Sequence, residues 1–306
     1  MKNKTLPTIT VGIPAYNEEQ NIQNLLRSIL KQAEEGYRIE KIIVILDGCT
    51  DNTEQKVKQV MNSSRLIKLI VDNENRGKSF RLNQLYKLNQ SAVIITLDAD
   101  LILENNSTIS NMIKPFRNKS IGVVGANNQA VSPKTFIESI SVAVFNLWYQ
   151  IRKDFNNGLT PHNFQGMAEA IDGKLAKQIH FPGTPGDGPF LYFSIIKLGK
   201  KPFFSKDSKV LINLPDNVRD FYDQANRAIL TGKIVVSQTN SENARYFKIP
   251  LLFKCKGILQ AFIKNPLYTL LGLLFLTVFE LNLKKDPQHL VGKWNRVHSS
   301  KKAINL

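Results

Sequence analysis

The feature that most constrains this chain is an alternation of short apolar runs with amphipathic stretches across its first hundred residues. "TITVGIPAY" reads as a strand that stops at Pro14, and "EEQNIQNLLRSILKQAEE" follows with Ile22, Leu25, Leu26, Ile29 and Leu30 on a helical period. "KIIVILDG", "RLIKLIVDN" and "AVIITLDAD" repeat the strand pattern, and "TDNTEQKVKQVMN" and "GKSFRLNQLYKLN" supply helices in the intervals. Strand and helix in strict alternation imply an α/β fold, a mostly parallel sheet flanked by helices. Ligands of such sheets collect beyond the C-terminal strand ends. Asp47, Asp51, Asp98 and Asp100 all fall at those ends.

The fourth strand is the most telling. Val93 to Leu97 is β-branched and almost wholly apolar, as expected for a strand buried on both faces. Asp98 and Asp100 then flank Ala99. Side chains alternate along a strand, which would point both carboxylates the same way. Two like charges side by side need a compensating cation, and a hard divalent ion, Mg²⁺ or Mn²⁺, suits oxygen ligands. An Asx turn leaving the strand is the plain alternative.

Composition narrows the partners. Cys49 and Cys255 lie far apart and share no metal-ligand spacing with a histidine pair, which argues against zinc and against a disulfide framework. The N-terminus lacks an apolar signal core, so a reducing, cytosolic setting is expected. Forty-one Lys and Arg against 25 Asp and Glu give a net charge of +16. Residues 245–306 hold eleven basic residues against Glu280 and Asp286, a net +9. Such an excess suits nucleic acid, anionic lipid or a phosphorylated substrate. No nucleic-acid-binding module is visible, and the charge gathers around an apolar tail instead of aromatic stacking positions, so no nucleic-acid partner is expected. In that tail "IPLLFKCKGILQAFIKNP" is amphipathic with Lys254, Lys256 and Lys264, and residues 267–279 run thirteen positions without a charge. A spanning helix needs roughly 20 apolar residues. A core helix, an interfacial membrane contact and a span all stay open, with flanking lysines favouring contact with an anionic membrane surface.

Further motifs stand on the other strand-to-helix turns: "VGIPAYNEEQNI", with Pro14, Ala15, Tyr16, Asn17 and Glu18; "LDGCTDNT"; and "NRGKSFRLNQ". With Asp98-Ala99-Asp100, in this order and at these spacings, they resemble the family 2 glycosyltransferases of the GT-A fold, a Rossmann-like α/β fold. The resemblance covers residues 8–227, some two thirds of the chain. It implies that the first turn and Asp47 hold the base and ribose of a nucleotide diphosphate sugar (UDP- or GDP-linked). Gly77 would let the backbone approach, and Lys78 would meet the nucleotide or its phosphates. Asp98 would reach nucleotide and metal, and Asp100 would ligate the Mg²⁺ or Mn²⁺ bridging the diphosphate. The family's acceptor base is an acid before a helix. "GTPGDGPFLYFSII" occupies that place with one carboxylate, Asp187, and either Gly186 or Gly188 replaces the second acid of the family pair. Gln224-Ala225-Asn226-Arg227 resembles the Gln-x-x-Arg-Trp motif of membrane-associated members, with Ala228 where the tryptophan would stand; Gln224 and Arg227 would face the diphosphate or the acceptor. The missing ring argues against a processive polysaccharide synthase and for addition of a single sugar. "GKWNRVHSSKK" also looks like a tail of some membrane-bound relatives.

The expected organisation is a glycosyltransferase domain over residues 1–241, its nucleotide-sugar-binding half at 1–125 and its acceptor-binding half at 126–241. A basic, apolar helical tail over 242–306 would associate with the membrane. The expected activity is inverting, metal-dependent transfer to a hydroxyl of a lipid-linked or membrane-proximal glycan, at the cytoplasmic side of the cell membrane. A nucleotidyltransferase also pairs a nucleotide crevice with metal-binding acids, but would show a Gly-rich loop after the first strand, where "PAYNEE" instead has two acids.

Overall fold

The computed structural model describes residues 6–282 and 299–304. In chain order its elements are β1 (Thr8–Ala15), α1 (Ile22–Leu30), β2 (Arg38–Asp47), α2 (Thr53–Met61), β3 (Ile67–Asp72), α3 (Lys78–Leu88), β4 (Val93–Leu97), β5 (Leu101–Leu103) and α4 (Thr108–Ile113). β6 (Ile121–Ala130), α5 (Phe136–Arg152), β7 (Ala168–Asp172), α6 (Gly173–Ala176), α7 (Asp187–Lys197) and β8 (Lys201–Ile212) follow. The last helices are α8 (Val218–Gln238), α9 (Leu251–Lys264) and α10 (Pro266–Leu281).

The eight strands form one sheet in the order β3-β2-β1-β4-β7-β6-β8-β5. β3, β2, β1 and β4 are mutually parallel, while β7 runs antiparallel between β4 and β6. The chain winds outward from β1 to β3 and then returns to place β4 on the other side of β1. The β1–β4 junction is therefore a topological switch point, where the connections diverge to opposite faces and open a crevice.

Both faces of the parallel half are covered, which explains its near-continuous apolar strands. Along β2, Ile42 and Val44 enter one buried cluster while Ile43 and Ile45 enter the other. All five residues of β4 are buried, as its composition implies. α8 continues for eight residues beyond Leu230 to Gln238, and Ile234 and Val235 extend its buried face across Gly232.

The tail helices pack on α5. Ile140 and Val144 of α5 meet Phe221 of α8 and Phe279 of α10, while Leu147 and Ile151 meet Ala261 of α9. No helix among the described residues is long and apolar enough to cross a membrane. Most of "GKWNRVHSSKK" lies in 283–298, outside the described residues.

Candidate active site

Two motif loops are tied together at the switch point. Asn17 takes a left-handed backbone, φ 54°, and its side chain donates to Thr50 Oγ1 at 3.1 Å while its Oδ1 accepts the Thr50 N–H at 2.7 Å. The Glu18 N–H donates to Thr53 Oγ1 at 2.7 Å, and the Glu19 N–H to Asp51 Oδ2 at 3.2 Å. Asn at the left-handed position is a physical choice, since its short polar side chain tolerates that conformation and bonds locally. Pro14 and Tyr16 are half-buried on this turn and Ala15 is buried.

Asp47 serves its own chain. Its carboxylate accepts the Arg76 N–H at 2.9 Å, the Gly77 N–H at 2.8 Å and Arg81 Nε at 2.6 Å. Arg81 is fully buried, and its other nitrogens reach Asp72 Oδ2 and the Glu74 carbonyl, both at 2.8 Å. The pair holds the loop entering α3, where Gly77 takes φ 85°. Gly48, φ 68°, permits the approach: a Cβ there would lie 2.7 Å from Asn75 N. Arg81 sits inside "NRGKSFRLNQ" but carries no local sign of burial, because three of its four acceptors come from β2, β3 and the loop after it, and only Gln84, at 3.1 Å, belongs to α3 itself.

β4 ends at Leu97, so Asp98, Ala99 and Asp100 lie in a turn and strand alternation does not orient them. The turn lets the two carboxylates engage different cations. Asp98 Oδ1 pairs with Lys78 Nζ at 2.5 Å, and Asp100 Oδ2 with Lys301 Nζ at 2.9 Å. Burial pushes Asp98 up to about 6 against the pull of Lys78, with Asp100 adding to the rise. Burial also works on Asp100, but Lys301 outweighs it and holds the carboxyl below its ordinary value. Lys301 also pairs with Glu18, a buried carboxyl that desolvation raises to about 7 despite that ammonium.

Lys78 reaches further than sequence indicates. Its ammonium pairs with Asp187 Oδ2 at 2.9 Å and donates to the Gly166 carbonyl at 2.8 Å. Burial would depress it, yet Asp187 and Asp98 hold it above its ordinary value. Lys78 thus joins the acid at the end of β4 to the acid that opens α7. Because β7 runs antiparallel to β4, its N-terminal end lies at the same edge: the Asp98 N–H donates to the Met167 carbonyl at 2.8 Å.

The glycines around Asp187 have steric reasons. A Cβ on Gly166 would lie 2.4 Å from Asp187 Oδ1, and one on Gly188 would lie 2.3 Å from the Phe164 carbonyl. Gly186 takes φ 101°, and a Cβ there would meet Val235 Cγ2 at 2.6 Å. Neither flanking position has room for a second acid. Glu169 on β7 is a further buried acid beside this group. Its Oε1 accepts the Gly166 N–H at 2.7 Å, and burial, reinforced by Asp187, raises it to about 8. Its signal in the sequence is a single charge inside the apolar run "AEAI".

Gln224 and Arg227 are half-buried on α8. Burial lowers Arg227 from its ordinary value, and Asp223 and Asp100 pull the other way, which puts its charge within electrostatic range of the Asp98–Asp100 turn.

Asp98 and Asp100 offer the oxygen donors that a hard divalent ion takes. Among the described residues no three His, Cys, Asp or Glu side chains converge on one point. Asp98 and Asp100 would then hold the ion together with substrate phosphate oxygens, the usual arrangement for Mg²⁺. The Lys301 ammonium on Asp100 shows that this carboxylate already engages a cation.

Comparison with known proteins follows the same residues. The model of the family described as "Glycosyl transferase family 2" matches residues 10–171, just over half of the chain. The poly-beta-1,6-N-acetyl-D-glucosamine synthase of Staphylococcus aureus is 33% identical over 124 residues, 40% of this chain and 29% of that protein. Glycosyltransferase AglE of Haloferax volcanii is 24% identical over 129 residues, 42% of each chain. The chain spans less than half the length of these curated relatives. Among solved structures, the mannosyltransferase PcManGT of Pyrobaculum calidifontis, in complex with GDP-Man and Mn²⁺, superposes with a TM-score of 0.59 at 19% identity, over 91% of this chain and 75% of that one. Glucosyl-3-phosphoglycerate synthase of Mycobacterium tuberculosis, with Mn²⁺, UDP and phosphoglyceric acid, gives 0.55 at 16% identity, over 76% and 78%. At these identities the likeness is one of fold, and the fold is that of GT-A glycosyltransferases.

Proposed function

The chain belongs to glycosyl transferase family 2, and from that premise we propose that it is an inverting, metal-dependent glycosyltransferase. It moves a single sugar from a UDP- or GDP-sugar to a hydroxyl of a lipid-linked or membrane-proximal glycan. The observation that carries the reading is the Asp98–Lys78–Asp187 bridge, with ion pairs of 2.5 and 2.9 Å. It gathers a candidate donor acid and a candidate acceptor base at one strand-end crevice, the place where a direct displacement needs them.

In this reading the turn from Pro14 to Glu18 lines the nucleotide pocket, and Asp47 shapes it by fixing the Arg76–Gly77 loop. Asp98 and Asp100 hold Mg²⁺ or Mn²⁺, which when bound stabilises the charge of the departing nucleoside diphosphate. Arg227, with Gln224 beside it, faces the diphosphate or the acceptor. Asp187 takes the proton of the acceptor hydroxyl, a role an ordinary carboxylate can fill within hydrogen-bond reach. Lys78 keeps the Asp98 and Asp187 carboxylates from repelling each other before substrate enters. Residues 1–241 make up this catalytic unit, 1–125 for the donor and 126–241 for the acceptor.

Within residues 242–306, α9 and α10 supply the membrane contact, at the cytoplasmic side of the cell membrane. Supporting this is the outer face of α10, where Leu267, Leu270, Leu274, Val278 and Leu281 stand exposed at helical spacing while Phe275 and Phe279 face inward. α9 adds Leu252, Leu259 and Ile263, each more than 60% exposed, beside Lys254, Lys256 and Lys264. Apolar stripes of this extent are rare on a solvated surface, and basic residues near anionic lipid add about 1 kcal/mol each.

The test is a panel of nucleotide sugars with Mn²⁺, read by thermal stabilisation and by donor hydrolysis. One nucleotide class should stabilise the protein, with hydrolysis lost in chelator. Absence of stabilisation by every donor, or full turnover in chelator, refutes the reading.

A further inference from the structure

The segment 299–304 lies across the candidate donor site, and its lysine occupies the place that the proposed function gives to a metal ion. The docking is specific along its length. The Ser299 N–H donates to Asp220 Oδ2 at 2.7 Å, at the start of α8. The Lys301 carbonyl accepts Asn21 Nδ2 at 2.7 Å, and the Lys302 carbonyl accepts Asn213 Nδ2 at 2.6 Å. Lys302 pairs with Asp216. The Ile304 N–H donates to Asn21 Oδ1 at 3.3 Å, its carbonyl accepts Asn24 Nδ2 at 3.2 Å, and its side chain is buried. Six backbone and side-chain anchors from the first turn, the end of β8 and α8 thus set one ammonium on Asp100 and Glu18.

We propose that Lys301 is the resident counter-cation of the donor site and that a divalent ion must displace it, so that metal uptake at Asp100 releases the segment 299–304 from the crevice. This rests on the reading of Asp100 as a metal ligand. Asp100 Oδ2 is already the acceptor of the Lys301 ammonium at 2.9 Å. A divalent ion on that carboxylate, at the roughly 2.0–2.1 Å of Mg²⁺–oxygen bonds, would stand almost against the ammonium. Like charges at such a distance repel far more than water screens in a partly buried site. The Lys301 side chain is 30% exposed, so it has a way out into solvent. The anchors left behind are mostly neutral hydrogen bonds, each modest in net worth. Loss of the ion pairs therefore weakens the docking of the whole segment.

The experiment measures Mn²⁺ binding to the full chain without substrate, by calorimetry or by the electron paramagnetic resonance of free Mn²⁺. Lys301→Met keeps the stem and removes the charge, and should bind Mn²⁺ about tenfold more tightly than the wild type. Lys301→Arg keeps the charge and should bind as the wild type does. Hydrogen exchange of a peptide covering 299–304 reports docking directly, through the Ser299 and Ile304 amides. Saturating Mn²⁺ should speed exchange in the wild type and leave Asp100→Asn unchanged. Equal Mn²⁺ affinity in wild type and Lys301→Met, or protection that Mn²⁺ does not diminish, overturns the proposal. If Lys301→Met loses Mn²⁺ binding when Asp100→Asn is added, the metal reading stands even where the displacement fails. Absence of Mn²⁺ binding in every form overturns both.

Discussion

Glu169→Gln should stabilise the protein at alkaline pH and leave it nearly unchanged in mild acid. Glu169 is 3% exposed on β7, and burial, with Asp187 adding to it, raises its carboxyl from 4.5 to about 8. Below about 4.5 the group is protonated in the folded and the unfolded chain alike and costs nothing. Between 4.5 and about 8 the unfolded chain has released a proton that the folded one retains, so stability falls as pH rises. Above about 8 the loss is complete. The interval is roughly 3.5 pH units at about 1.4 kcal/mol each, about 5 kcal/mol in all. Glutamine cannot ionise, and its carbonyl oxygen can still accept the Gly166 N–H. Burying its amide costs ~1 kcal/mol. The variant should therefore lie within ~1 kcal/mol of the wild type at pH 5 and be more stable by about 3–4 kcal/mol at pH 8.5. Urea denaturation at several pH values checks this, since the difference between two otherwise identical chains cancels the titrating groups remote from Glu169. A difference that stays constant from pH 5 to 8.5, or that grows in favour of the wild type, refutes the assignment of Glu169 as a buried acid held neutral by desolvation.

Asp187→Asn should slow the chemical step by about 10²–10⁴ with donor affinity preserved. Collapse of donor affinity without that loss of turnover would make Asp187 a donor ligand. Leu270→Glu combined with Leu274→Glu should abolish flotation with anionic liposomes while leaving the melting temperature unchanged, because both side chains are about half exposed at 49% and 55%. Retained flotation would exclude the outer face of α10 as the contact. Gly188→Ala should destabilise by about 1–3 kcal/mol, the usual cost of overpacking, because its Cβ would lie 2.3 Å from the Phe164 carbonyl; unfolding at the wild-type midpoint would show that α7 can shift to make room.

The parallel strands and their helices were legible because local period states them. A strand buried on both faces must be apolar at every position, and β4 is. The motif acids were legible as well, because strand-to-helix turns mark where a parallel sheet opens. Orientation was not. Asp98 and Asp100 read as strand neighbours pointing one way, whereas β4 stops at Leu97 and the turn sends them to Lys78 and Lys301. The tail shows the same division. Its apolar run allowed a core helix, an interfacial contact or a span, since composition does not say which face finds a partner. Packing on α5 settled the inner face and left the outer stripe exposed.

By itself, then, the sequence determined the α/β alternation, the strand-end acids and the basic, apolar tail, all of which depend on neighbours a few residues apart. Tertiary structure decided which charges meet. Asp47 is saturated by the Arg76–Gly77 amides and by Arg81, Lys78 bridges Asp98 to Asp187 across 89 positions of chain, and Lys301 returns 283 positions to Glu18. Nothing in the spacing of such residues encodes the pairing. A long-range ion pair forms only once the sheet has brought separate strand ends to one edge, and the burial that shifts these groups exists only in that assembled crevice.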